Sequence, residues 1–232
     1  MAHVTPTVYS YERMFAFSQN RPELPASLAA KVRPVAAASS RKIPVDPSWE
    51  QILPEHGLRR GSTVCVEAAP GTGGLTLALS LLSGLSASEH WCAVVGVDDP
   101  GVVAMVDLGI DLRRVLFVPR PRGAWAECAA DLLDGVDVLV VRPPSRPALA
   151  SARRLMSRVR ERSTVLIVLS EPNAQWPLPV DLTLEITKAQ WNSSSRLTTR
   201  TATVRVSGRG SARRMMEYAI DLPSSTGRVL AS

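Results

Sequence analysis

The stretch Ser62–Leu79 constrains this chain more than any other: Ser-Thr-Val-Cys-Val-Glu-Ala-Ala-Pro-Gly-Thr-Gly-Gly-Leu-Thr-Leu-Ala-Leu. An apolar run (Ser62–Glu67) leads into a glycine-rich turn (Ala69–Gly74), and helical spacing begins at Leu75. Strand, glycine turn and helix in that order form the setting of a phosphate-binding loop, whose backbone N–H groups converge on an anion at the start of the helix. The pattern Gly-x4-Gly-Lys-Ser/Thr puts Ala69 at the first glycine, Gly74 at the second, Leu75 at the lysine and Thr76 at the hydroxyl, with Gly73 as a further glycine. A leucine cannot supply the charge that reaches the outer phosphates. Two readings stand: a loop that still holds nucleotide phosphate, and a strand-to-helix turn that keeps its glycines for backbone geometry alone. The missing lysine favours the second.

The rest of the chain sets this turn in an alternating pattern. Apolar strands are expected at Trp91–Val97, Val115–Val118, Val136–Val141 and Thr164–Leu169, with helices at Val102–Leu108, Ala124–Leu133 and Leu149–Arg162. Strands that are apolar throughout and alternate with helices predict a parallel sheet covered on both faces. After Ser170 the period changes to two. Asp181–Trp191, Leu197–Ser207 and Met215–Leu222 read as antiparallel strands separated by serine- and glycine-rich turns. The expected fold class is α/β, a mostly parallel sheet with helices on both faces, extended by C-terminal antiparallel strands. Residues 1–48 form an N-terminal helix and linker segment, with short helices at Tyr9–Ser18 and Leu24–Lys31 and a linker over Pro34–Pro47. Residues 49–222 form the core domain and 223–232 a flexible tail.

Composition narrows the class. Of 232 residues 45% are hydrophobic, enough for one sizeable core. No apolar run reaches the ~18 residues of a membrane span, and the N-terminus lacks the basic start and apolar stretch of a secretory signal, so a cytoplasmic protein is expected. Cys65, Cys92 and Cys128 are read as buried free thiols, and neither they nor the three histidines are spaced for a metal. The net charge is +6, carried almost wholly by arginine, since only Lys31, Lys42 and Lys188 are lysines. That excess suits an anionic partner such as nucleic acid, or a solvated surface.

Element order and punctuation together resemble the RecA core over residues 46–222. The loop lies on the first core strand. Asp98 and Asp99 end the next strand, where RecA-type ATPases place the acid that polarises water. The run Asp107-Leu108-Gly109-Ile110-Asp111-Leu112, followed by Val115-Leu116-Phe117-Val118, is similar to RecA sequence at the same place. Within that group the chain looks most like ImuA proteins of actinobacterial type, RecA-like accessory proteins of bacterial mutagenesis cassettes. The resemblance implies a RecA-like P-loop core and a role in damage-induced, error-prone translesion synthesis. It also implies binding to an ImuB-type Y-family polymerase homologue and, indirectly, to a DnaE-type polymerase and the sliding clamp. The setting it implies is cytoplasmic, at the nucleoid during DNA damage, with no membrane partner.

The departures from the RecA pattern decide the expected chemistry. Leu75 replaces the loop lysine. The strand Val138–Val141 should end in a metal-holding aspartate and runs instead into Arg142-Pro143-Pro144, where a cation repels Mg²⁺. Lys188 is the nearest stand-in the resemblance offers. The two stretches matching RecA's DNA-binding loops, Pro143–Ala148 and Glu171–Pro179, are short. ATP hydrolysis is therefore not expected, no catalytic residue or metal site is assigned, and no cofactor is expected. ATP remains the one nucleotide the degenerate loop (Ala69, Gly73, Gly74, Leu75, Thr76) and Asp98 would take. Asp98 and Asp99 are read in the main as caps for the helix after Pro100. For partner or DNA contact the candidates are Arg154, Arg158 and Arg162, four apart on one helix, with Trp176, Trp191, Arg196 and Arg200 near the late strands. Arginine beside tryptophan suits single-stranded nucleic acid and protein interfaces alike; a solvated face competes with both. The leading reading is a non-catalytic scaffold. Its alternatives are a RecA-like ATP-binding protein or ATPase with an unusual site, and a DNA-binding protein that localises the complex.

Overall fold

The computed structural model describes residues 42–87, 90–171, 175–193, 197–222 and 230–231. The chain separates into two compact units between Ser39 and Ser40, and all described residues belong to the second. The helices expected before residue 42 lie outside the described residues.

Five parallel strands form the centre: β3 (Thr63–Glu67), β4 (Cys92–Val95), β5 (Val115–Val118), β6 (Val138–Val141) and β7 (Val165–Ser170). Three strands antiparallel to one another follow, β8 (Leu182–Ser193), β9 (Leu197–Gly208) and β10 (Met216–Asp221), with the two-residue β11 (Leu230–Ala231) at the end. The sheet order is β11-β10-β9-β8-β3-β7-β6-β4-β5. The loop-bearing β3 is therefore central, flanked by β7 and β8, both parallel to it. This is the α/β architecture that the alternation predicts.

The apolar central strands divide their residues between two faces. Cys92, Val94, Val138, Val140, Val165 and Ile167 join one buried cluster, and Ala93, Val95, Leu139, Val141, Leu166 and Val168 the other. Both faces are dry, so neither alternates with polar residues, as expected for buried parallel strands. Helix α2 (Gly74–Ser80) and α4 (Val102–Asp107) cover the first face through Leu77, Ala78 and Met105. Helices α5 (Trp125–Leu132) and α6 (Leu149–Arg162) cover the second through Trp125, Ala129, Leu155 and Val159. No described helix is long and apolar enough to cross a membrane.

The start of the core lies earlier than the sequence suggests. β1 (Lys42–Ile43) pairs with β2 (Leu58–Arg59), and α1 (Pro47–Glu50) follows, capped by the Asp46 carboxylate. Ile43, Val45 and Trp49 are buried. The end of the expected linker is thus a packed edge: Ile43 and Val45 point inward around the exposed Pro44. The segment read as a tail carries β11 on β10; residues 223–229 and 232 lie outside the described set.

Candidate functional site

The loop after β3 has the backbone the glycines predict. Gly71 and Gly73 have φ of 79° and 103°, in the left-handed region where a Cβ is strained. Ala69 takes the first-glycine position with no such need, and its carbonyl accepts both the N–H (3.2 Å) and the hydroxyl (2.7 Å) of Thr72, which closes the turn on itself. Gly73 is the N-cap of α2, with no side-chain cap. A Cβ on Gly74 would run into the Ala68 methyl, so close packing of loop on strand requires that glycine. Leu75, at the lysine position, packs against the main core cluster.

A cation nevertheless reaches the loop, from the far side of β8. Arg200 on β9 is 5% exposed. Its Nε donates to the Leu222 carbonyl at 3.0 Å, one terminal nitrogen to the Gly71 carbonyl at 3.4 Å, and the other to the Thr76 hydroxyl at 3.5 Å. The guanidinium lies so close over Gly73 that a Cβ there would overlap it. It also stacks on its cross-strand partner Trp191, 4.9 Å from the ring centroid. Burial makes its charged form harder to keep, drawing its pKa down. Among the described residues no carboxylate pairs with it. Arg200 was expected on an exposed phosphate- or partner-binding cluster; it is instead an internal plug of the loop. Lys188, the expected stand-in, is exposed on β8 and does not line the site.

Beside the plug is a cavity of about 180 Å³, lined by loop residues 68–71 and 73–75, by Ser170 and Glu171 at the end of β7, and by Arg142 and Arg200. Arg142 extends β6 at the position where RecA-type proteins keep the metal-holding aspartate. Its Nε is buried with no hydrogen-bond partner. Two guanidinium groups and one carboxylate therefore border the space where the resemblance would place phosphates and Mg²⁺. No group of three metal-ligating side chains occurs among the described residues. Cys65, on the strand below, is an inert thiol: burial first, and the neighbouring Glu67 second, push it up to about 12.

The other candidates lie elsewhere. Asp98 is largely exposed and pairs with Arg120 at 3.3 Å. Contrary to the expected cap, neither it nor Asp99 caps α4. The N-cap is Gly101, whose N–H donates to Asp99 at 3.0 Å, so the acid forms a local turn before the helix. On α6 the arginine row divides. Arg158 and Arg162 both grip Asp134, at 2.8 and 2.9 Å, and their guanidinium groups hold its carboxyl below the usual range; Arg154 is exposed. Trp176, expected as an exposed anchor, packs against the second core cluster with its indole N–H buried. Trp191 is 42% exposed. Arg196 lies outside the described residues. The loop residues, Arg200 and Arg142 are thus brought together; the α6 arginines, Asp98 and Trp176 are not part of that site.

Comparison with known proteins agrees with this architecture. The KaiC-like protein PH0186 from Pyrococcus horikoshii superposes over 83% of this chain and 99% of its own, with a TM-score of 0.59 at 15% identity. That likeness shows the fold alone, a RecA-like core. In sequence, an uncharacterised protein of Mycobacterium tuberculosis, Rv3395c, is 35% identical over 109 residues, 44% of this chain. The match spans about half the length of that relative, 53%. The family model described as the MT3502 N-terminal domain matches residues 51–177, more than half of the chain and the whole of the loop, β6 and Arg142. The chain belongs to the MT3502 N-terminal domain family.

Proposed function

We propose that this chain is a RecA-like protein without ATPase activity that works as a scaffold, in the manner of the ImuA proteins its sequence resembles. In this reading it binds an ImuB-type Y-family polymerase homologue in the cytoplasm, at the nucleoid during DNA damage. It thereby helps assemble the error-prone polymerase complex with a DnaE-type polymerase and the sliding clamp. The observation that carries the non-catalytic half is the Arg200 guanidinium seated over Gly73, where a nucleotide phosphate would have to lie. Leu75 and Arg142 remove the lysine and the metal ligand in the same site. Transition-state charge stabilisation by a loop lysine and a bound Mg²⁺ is worth orders of magnitude in phosphoryl transfer, and the cavity lining holds neither that lysine nor the metal-holding aspartate. The partner half rests on the sequence resemblance. Its candidate face is the C-terminal third of the core, where Trp191, Met215 and Met216 are exposed apolar side chains of the type that anchors interfaces.

One capture experiment tests both halves. The full chain is immobilised and offered the purified ImuB-type homologue with and without Mg-ATP, while phosphate release is followed. Expected are saturable capture, the same in both arms, no ATP consumed, and weaker capture by a Met215→Glu/Met216→Glu variant. Nucleotide-dependent capture, or turnover that Thr76→Ala abolishes, would overturn the scaffold reading.

A further inference from the structure

We propose that the cavity beside the loop is a metal-independent site for one small oxyanion of the phosphate class, held between Arg142 and Arg200. The proposal deepens the scaffold reading, since it rests on the loop no longer handling Mg-nucleotide.

The argument starts from donors that lack acceptors. A guanidinium carries five N–H donors. Arg200 spends three on neutral acceptors, two of them at 3.4 and 3.5 Å, the outer limit of a hydrogen bond. Arg142 keeps a buried Nε with no partner at all. A buried cation left without a counter-charge is costly; Arg200 is one, and Arg142 lines the same space. Glu171 is the one carboxylate among its lining residues, so positive charge is in excess there.

The ligand class follows from charge, shape and size. Guanidinium forks match oxyanions in two-point hydrogen bonds. A cavity of about 180 Å³ is smaller than the roughly 300–1,000 Å³ of pockets that enclose drug-sized ligands. It has room to enclose a phosphate-sized ion. A metal is not needed to bring the anion in, because the two arginines already supply the positive charge.

The test uses the full chain in EDTA, titrated with inorganic phosphate by calorimetry and by thermal unfolding, against chloride at matched ionic strength. Expected are saturable binding and a higher Tm, at least tenfold weaker binding in Arg142→Gln, and tighter binding in Glu171→Gln, which removes the competing carboxylate. Glu171→Gln keeps the test decisive if Arg142→Gln does not fold. A glycerol phosphate arm separates sources of the same chemistry: tighter binding than phosphate points to a phosphomonoester, equal or weaker binding to the free anion. No saturable binding to the folded chain, unchanged binding in both variants, or binding that requires Mg²⁺ would overturn the proposal. Failure on these counts leaves the scaffold reading standing, since nucleotide turnover and partner capture test that reading separately.

Discussion

At Gly73 two independent constraints meet: a φ of 103° and a guanidinium where a Cβ would go. They can be separated. Gly73→Ala is expected to destabilise the chain by about 1–3 kcal/mol for the backbone alone, and further through collision with Arg200. In an Arg200→Ala background the collision disappears and the backbone strain remains. Urea unfolding of the four proteins of this cycle should give a coupling of at least ~0.5 kcal/mol, with the second substitution costing less in the presence of the first. Strict additivity would mean that the guanidinium does not occupy the loop. The glycines, Leu75 and Arg142 of this site were legible in the sequence, since each breaks or keeps a local pattern. Arg200 is legible too, by its parity on β9. In a strand, residues two apart share a face, and Arg200 is in phase with Ala202, Val204 and Val206, which are 1%, 0% and 2% exposed. An arginine on the inward parity of an apolar strand is a buried arginine. Grouping it with Arg196 by charge alone hides that. Its target could not be read, because the contact spans more than 120 positions and depends on β9 lying two strands from β3. Trp176 failed for the complementary reason: no periodic neighbours gave it a face.

At the scale of elements, the strands that carry several apolar residues were placed to within a few positions, including the shift from parallel to antiparallel after Ser170. The two-residue strands β1, β2 and β11 were missed, because two residues contain no period. The joints between elements are also set by single polar groups that sequence does not rank. Asp137, just before β6, is such a joint. Its carboxylate accepts from Arg60 at 3.0 Å and from the Trp91 N–H at 3.1 Å, and lies 3.3 Å from the His90 ring. Its backbone bonds both Trp91 and Val165, so it ties the starts of β4, β6 and β7 together. Burial pushes its pKa up, but His90, Arg60 and the Trp91 N–H outweigh that and bring it to about 2. A folded-state pKa below the unfolded one contributes stability that is complete above about pH 4 and is lost as pH falls toward 2. After allowance for solvent screening the contribution is about 1–2 kcal/mol. Denaturant midpoints measured from pH 6 to pH 2 should therefore fall less steeply below pH 4 in Asp137→Asn than in the parent, with the variant already weaker at pH 6. Parallel curves would assign the acid sensitivity elsewhere.

For the molecule as a whole, the question is whether a net charge of +6 makes a nucleic-acid surface. Among the described residues its distribution argues that it does not make a strong one. Arg158 and Arg162 share Asp134, and Arg205 bridges Glu185 and Glu217 across three strands at 2.9 and 3.0 Å. Arg59, Arg60, Arg113 and Arg120 each have a carboxylate within 3.3 Å. Arg200 is spent inside the loop. Many of the described arginines are thus neutralised by carboxylates on several faces, and the α6 row offers Arg154 with its outer neighbours in place of a continuous stripe. Counterion release makes the log of DNA affinity fall with the log of salt by about 0.9 for each phosphate neutralised. A chain that engages about one to three phosphates should show a shallow slope, weak binding even at about 50 mM salt, and no preference among sequences. Arg154→Glu should shift that affinity less than about tenfold, which corresponds to ~1.4 kcal/mol. Fluorescence anisotropy on single- and double-stranded oligonucleotides over a salt series reads both quantities. A slope of about −5 or steeper that collapses in Arg154→Glu would require a concerted phosphate-binding face on α6. The alternative of a protein that localises its complex by holding DNA would then displace the scaffold bound through protein contacts.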